Sequence, residues 1–258
     1  MSTMKSIHKK SIAAAAAVLL GISSFAIVGA EPSNGASELN GDVVEYNAKT
    51  GLMTADGHVV LKHNDGVARG SHAEYNTKTQ DGLLTGGVVA DQGDTHLTCD
   101  SVRFFGGTQV VAEGNVHGSK GDKAYEGPRA EYSTDNEYLR LPAGGTITTA
   151  DGSFTADYME GWMKENHARG VGNAYVTSPK RNFEGGGDEA EYFGEESGKV
   201  VLTGNAWAIQ DNNRLKSQRL TVYLDEGTGT DRGGTVRVLR NKGVLRFVYR
   251  SKRLSKNI

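Results

Sequence analysis

Five histidines, His58, His63, His72, His96 and His117, crowd one half of the chain, and histidine at that density raises the question of a bound metal. They form no recognised ligand pattern and read as strand and turn residues on a polar face. The tightest carboxylate cluster, Asp91, Asp94 and Asp100, lies around a turn and a strand end. Glycoside cleavage needs two carboxylates converging on one sugar. Here the acids Glu45, Glu74, Glu131, Asp157 and Glu191 recur at a regular interval instead, as an outer polar stripe does. Gly185-Gly186-Gly187-Asp188 lacks the Lys-Ser/Thr and helix of a phosphate loop and reads as a flexible turn. No order of Ser, His and Asp suggests an activated nucleophile. Cys99, the single cysteine, cannot form an internal disulfide and reads as a small buried residue of a strand over 97–104. These patterns predict a protein that is not an enzyme and needs no metal or cofactor. The catalytic alternative they leave is a β-helical polysaccharide lyase or hydrolase.

The recurring acids belong to a longer repeat. A small residue, a charge and an aromatic follow one another in Val44-Glu45-Tyr46, Ala73-Glu74-Tyr75, Val102-Arg103-Phe104, Ala130-Glu131-Tyr132, Ala156-Asp157-Tyr158 and Ala190-Glu191-Tyr192, with a degenerate copy at Thr221-Val222-Tyr223. The aromatic positions are 29, 29, 28, 26, 34 and 31 residues apart. Each is followed by Gly-x-(Val/Ile/Ala): Gly57-His58-Val59, Gly86-Gly87-Val88, Gly114-Asn115-Val116, Gly145-Thr146-Ile147, Gly172-Asn173-Ala174, Gly204-Asn205-Ala206 and Gly234-Thr235-Val236. A fixed period near thirty marks an array of one supersecondary unit. Alternation of apolar and charged residues marks a strand with one buried face. A periodic glycine in such an array marks a bend, a bulge or a close backbone approach. The chain is therefore all-β and solenoid-like, about seven repeats of two strands each.

Strand alternation sends Ala73 and Tyr75 inward and Glu74 outward, and sets Val59 with Leu61, and Val88 with Ala90, on one face. The expected inner residues are Tyr46, Val59, Tyr75, Val88, Phe104, Val116, Tyr132, Ile147, Tyr158 and Tyr192. Trp207, out of phase with Ala206, belongs on an outer face or rim; Trp162 falls in the loosest repeat and has no assigned face. The inner set is apolar but short of large aliphatics. Two architectures fit it: a narrow solenoid closed by its own side chains, or a wider roll whose inside is a groove for lipid.

The chain begins with Lys5, Lys9 and Lys10, an apolar run over 12–28 and small residues at Val28-Gly29-Ala30. This predicts a signal peptide over 1–30, cut after Ala30, and an exported, soluble mature protein. Gly21, Ser23 and Ser24 within the run argue against a membrane anchor. The remaining divisions are a short linker over 31–40, the array over 41–240, and a basic strand or tail over 241–258. All 31 acidic residues precede Arg232, whereas nine Lys or Arg and no acid follow Asp231. Such an end could meet anionic lipid headgroups or the acidic body of a neighbouring copy. Export and an acidic body exclude nucleic acid as a partner.

The Ala-Glu-Tyr phrases, the step Glu113-Gly114-Asn115-Val116 and the run Val200-Val201-Leu202-Thr203-Gly204-Asn205-Ala206-Trp207 resemble the OstA/LptA-like repeat of periplasmic lipopolysaccharide-transport proteins. The resemblance covers about 41–239. It implies an elongated, open, slightly twisted β-jellyroll whose apolar interior shields lipopolysaccharide acyl chains, the inner residues named above being the lining. It implies a periplasmic carrier that stacks head to tail and pairs edge strands with inner- and outer-membrane transport components. The basic C-terminus departs from the family pattern. A purely structural or adhesive surface array is the non-enzymatic alternative.

Overall fold

The structure is a computed structural model that describes residues 37–63, 66–150, 152–165, 167–193, 199–210, 213–223, 235–240 and 243–248. The expected signal peptide with its cleavage site, the linker up to residue 36, Gly234 and the basic residues 249–258 lie outside them. Strand segments follow one another along the chain: β1 (Ser37–Asn40), β2 (Val43–Asn47), β3 (Leu52–His63), β4 (Gly66–Asn76), β5 (Asp81–Gln92), β6 (Thr95–Phe105), β7 (Gln109–Lys120), β8 (Lys123–Ser133) and β9 (Tyr138–Leu141). The second half continues with β10 (Gly145–Thr149), β11 (Gly152–Ala156), β12 (Tyr158–Trp162), β13 (His167–Ser178), β14 (Phe183–Phe193), β15 (Lys199–Gln210), β16 (Asn213–Tyr223), β17 (Thr235–Arg240) and β18 (Gly243–Val248). Each long strand pairs antiparallel with the next, so one sheet runs the length of the molecule. No helix among the described residues is long and apolar enough to cross a membrane.

The glycine phrase explains the shape. In β3, β5, β7, β13 and β15 the ladder slips by one residue at the same place. There two successive residues take positive φ: Gly57 at 73° and His58 at 46°, Gly114 at 77° and Asn115 at 47°, Gly204 at 69° and Asn205 at 50°. Glycine reaches that region without strain, and asparagine more readily than most residues. Two left-handed residues in a row fold the strand over itself, giving a corner. The preceding segment supplies a carboxylate to four of these corners, and Ser71 stands in its place beside Gly86: Asn173 Nδ2 donates to Asp157 at 2.7 Å and Asn205 Nδ2 donates to Asp188 at 3.1 Å. His58 Nδ1 lies 2.8 Å from Asp42 in the first corner. Where Pro128 replaces the aspartate, the Tyr125 hydroxyl donates to the Arg129 carbonyl at 2.9 Å. At β9–β10 the strand breaks outright, with Gly144 at φ 68°.

Corners divide the sheet into an aromatic limb, which carries Tyr75, Phe104 and Tyr132, and a valine limb, which carries Val59, Val88 and Val116. The inner faces of the two limbs meet in one continuous apolar cluster. Knobs on one limb enter holes on the other. A Cβ on Gly170 would lie 2.5 Å from Phe154, and a Cβ on Gly185 would lie 2.9 Å from Leu202. Burying each such Leu or Phe is worth about 1.5–3 kcal/mol. The observed architecture is an elongated antiparallel β-jellyroll folded along a line of corners.

Outer faces are polar and laddered. Arg129 bridges Glu113 and Glu131, Arg140 donates to Glu131 at 2.9 Å, and Arg169 donates to Glu189 at 2.6 Å and Glu160 at 3.2 Å. Burial alone would push the Glu131 carboxyl up, but hydrogen bonds from Arg129 and Arg140 hold it below the ordinary carboxylate value. Gly185–Asp188, expected as a flexible turn, instead runs within β14 and through a corner. Its glycines are needed because the backbones of Ala174 and Gly204 approach where side chains would stand.

Candidate functional site

Most of the expected inner residues occupy the seam between the limbs. Val59, Val88, Val116 and Tyr132 are almost wholly enclosed, Tyr75 and Ile147 are buried, and Phe104 and Tyr192 are half-buried. Tyr46 shares their face, since it opposes Met53, which opposes Tyr75. It is nevertheless 58% exposed, as is much of Val44, because no strand among the described residues covers the seam there.

Tyr158 is a correction. It stands on the outer face, its hydroxyl donating to Glu160 at 3.1 Å, and the inward residue is its neighbour Met159, at 1% exposure. Asp157 is the corner residue of this unit, equivalent to Asp100 and Asp188. Counting from those corners, the inward positions are 102 and 104, 190 and 192, and here Met159 and Gly161. The irregular spacings of 26 and 34 around Tyr158 were the trace of this offset. Likewise Val222, not Tyr223, holds the inward place at the far end, at 1% exposure. Gly145 is not itself the corner; the turn is made just before it, and Ile147 lies deeper in the valine limb.

The middle of the seam, from Leu84 to Leu141, is closed by its own side chains, among them Leu97, Val102, Val110 and Ala112. Openings occur on the side away from the corners. The larger cleft, about 560 Å³ counted to its open mouth, has Ile147, Phe154 and Val176 on the valine limb and Ala190, Tyr192 and Val200 on the aromatic limb. Thr149, Ser153, Thr177, Ser178 and Arg181 rim it. A smaller cleft of about 320 Å³ lies between Leu39 and Leu61 and the row Ala73, Tyr75, Gly82 and Phe104. Leu39, Phe154, Val176 and Val200 were not singled out from the sequence. Positions counted from each corner, rather than from each aromatic, would have found them.

The polar residues considered for chemistry are engaged elsewhere. His72 sits 2.7 Å from Asp56 and 3.2 Å from Glu74, and both raise its pKa. His96 lies 2.6 Å from Asp91, which also accepts from Arg69 at 3.4 Å. Asp100 is a corner residue. The described residues contain no group of three potential ligands placed to hold a metal. Cys99 faces the seam, and burial pushes its thiol up to about 12. Trp162 lies on the outer face, stacked on His167 at 4.7 Å, which stacks on Phe193 at 5.1 Å, with Tyr138 tilted against it at 5.5 Å. Trp207, also outside, stacks on Tyr175 at 6.0 Å.

A sheet folded along one line, polar outside, with an apolar seam opening along the opposite side, defines an open-seamed class of β-jellyroll. The sequence model of the LptA/(LptD N-terminal domain) LPS transport protein family matches residues 68–228. The chain belongs to that family. Among solved structures, it is similar to LptH of Pseudomonas aeruginosa, described as the LptA-homologous periplasmic component of the conserved lipopolysaccharide transport device. The identity is 16%, the TM-score 0.36, and the match covers 40% of this chain and 79% of that one. A search of curated protein sequences finds no match.

Proposed function

We propose that this protein carries lipopolysaccharide through the periplasm, its acyl chains lodged between the two limbs and its polar part outside. The observation that carries this reading is the pair of apolar clefts on the mouth side of a seam whose face is apolar from Tyr46 to Val222. An acyl methylene in water costs about 0.8 kcal/mol, so sheltering twelve of them is worth roughly 10 kcal/mol. No catalytic group is required. Val44 and Tyr46 leave the seam's face uncovered at the β1–β2 edge, where a second copy or a membrane-bound transport component adds a strand head to tail. A signal peptide over 1–30 delivers the chain to that compartment.

A purely structural array is the second reading, favoured by the closed middle of the seam. Photocrosslinking side chains at Tyr192, Tyr75 and Glu74, exposed to lipopolysaccharide, separate the two. Adducts at Tyr192 and Tyr75 but not at Glu74 support carriage. A folded protein that gives no adduct at either inner position supports the structural reading.

A further inference from the structure

A cross-strand row on the outside of the valine limb changes character halfway along the molecule. In β4, β7 and β8 it carries Arg69, His117 and Glu126, and these are ion-paired: Arg69 donates to Asp91 at 3.4 Å and His117 lies 3.7 Å from Glu126. Between Glu126 and Lys216 of β16 the same row reads Thr146, Thr155, Tyr175, Gly186 and Trp207, with no charge. The Thr146 and Thr155 hydroxyls lie 3.1 Å apart, and Ser153 and Thr177 form a second hydroxyl pair at 2.9 Å in the next row. Trp207 leans over Gly186, its Nε1 and Cε2 3.3 and 3.5 Å from where a Cβ would stand. Gly186 is buried beneath it, although it faces outward. Tyr175 meets Trp207 from the other side, the two ring planes inclined by 30°, and its hydroxyl donates to Glu184 at 2.8 Å. Both rings are half-buried and keep surface toward solvent.

We infer that this uncharged field holds the saccharide of an acylated glycan whose acyl chain lies in the larger cleft. The inference rests on the acyl-carrying reading above and gives the polar part of the ligand a place. Val176 lines the cleft from inside the limb, and Tyr175, the residue before it in β13, stands on the outside. A ligand that leaves the cleft past Ser178 on its rim meets Thr177 and then Tyr175, about 10 Å along the strand. A sugar ring carries C–H groups on its faces and hydroxyls around its edge. The negative face of an aromatic ring attracts the C–H groups, while Ser and Thr hydroxyls and the Glu184 carboxylate match the sugar hydroxyls. From Thr146 to Trp207 the row crosses four strand spacings, about 19 Å, which is room for a short oligosaccharide laid across the strands. A charged ligand meets no counter-charge in this row. A protein partner asks for a closed apolar centre, which two rings among hydroxyls do not supply.

The test compares dodecyl maltotrioside with octaethylene glycol dodecyl ether, which has the same tail and no sugar, each below its micelle concentration. A benzophenone side chain at Tyr192 reports the tail, and a W162F background leaves Trp207 as the only indole of the chain to report the head. The parent protein should take the maltotrioside about fivefold to tenfold tighter than the ether, and only the maltotrioside should shift Trp207 emission. W207L should bring the two to one affinity with the ether unchanged, which also shows that the cleft is intact. W207Y, which restores an aromatic face, should keep most of the preference. Free maltotriose at the same concentrations should leave both adducts unchanged; displacement of the maltotrioside would make this a site for free glycan and overturn the lipid-linked assignment. Equal affinities in the parent, or a preference that survives W207L, overturn the inference while acyl binding stands. Absence of adducts from both amphiphiles overturns the acyl reading and this inference with it.

Discussion

Tyr132→Phe should stabilise this protein. The Tyr132 ring fills the closed part of the seam at 2% exposure, and its hydroxyl is buried with no hydrogen-bond partner among the described residues. Desolvation, with Glu137 nearby, pushes the phenol up to about 12. A buried hydroxyl without a partner forfeits its water for nothing, a cost of about 1–3 kcal/mol. Phenylalanine keeps the ring and removes the stranded group, so a gain of about 1–2 kcal/mol is expected. In a repeat array each unit is held by its neighbours, so the gain should be local. Amide exchange in β7, β8 and β9 should slow by roughly tenfold for each 1.4 kcal/mol, while exchange in β15 and β16 stays unchanged. The urea midpoint should rise at constant m. A loss of 0.5 kcal/mol or more would refute the reasoning, because it would mean that the hydroxyl is bonded and the seam holds water or an open path at its centre.

The corner geometry makes a second prediction. Gly204→Ala should destabilise by about 2–3 kcal/mol, combining the left-handed φ with displacement of Asp188, whose carboxylate occupies the place of the new Cβ. In an Asp188→Ala background the same change should cost only about 1 kcal/mol, measured by urea unfolding. His72 contributes through a pKa raised from 6.5, by Asp56 first and Glu74 second. Its contribution is fully present below pH 6.5 and is lost as the pH rises through the raised value. His72→Gln should therefore lower the urea midpoint at pH 5.5 and leave it nearly unchanged at pH 8.5. Cys99, enclosed and with its thiol held at about 12, should resist iodoacetamide at pH 8 in the native protein and react fully in urea.

The repeat, the strands and their inward faces were legible because period and alternation are local properties. Tyr75, Val88, Val116 and Tyr132 obey them and lie where alternation sends them. What alternation could not show is the corner, where two left-handed residues reset the phase of the strand. Asp157 belongs to a corner and not to a strand, so the phrase Ala156-Asp157-Tyr158 carries the right residue types in the wrong register and Tyr158 turns outward. The partners of each corner are some sixteen residues apart in sequence, as with Asp157 and Asn173, too far for any window of alternation to join. The clefts were illegible for a related reason. Phe154 and Val176 meet Tyr192 and Val200 only across the fold, and whether they touch depends on the volume left between the limbs.

A seam closed at its centre is compatible with carriage because of where the hydrogen bonds run. Among the described residues every strand ladder lies within the sheet, passing from one strand to the next around the corner, and none spans the seam from limb to limb. Parting the limbs at the mouth therefore breaks no strand ladder and mainly separates apolar side chains. An acyl chain that enters replaces those contacts with others of the same kind, so its own removal from water, about 0.8 kcal/mol per methylene, is left as the driving term. The corners resist the opposite failure. With two residues fixed at positive φ and an aspartate clamped to the asparagine, as at Asp188 and Asn205, the fold line stays in place while the free edges separate. On the proposed function, seam contacts such as Leu84 in the space beside Gly70 set how readily each unit opens. Enlarging that knob, as in Leu84→Trp, should reduce crosslinking of lipopolysaccharide at Tyr75 and leave crosslinking at Tyr192 unchanged. Equal loss at both positions would mean that the limbs part as one body rather than unit by unit.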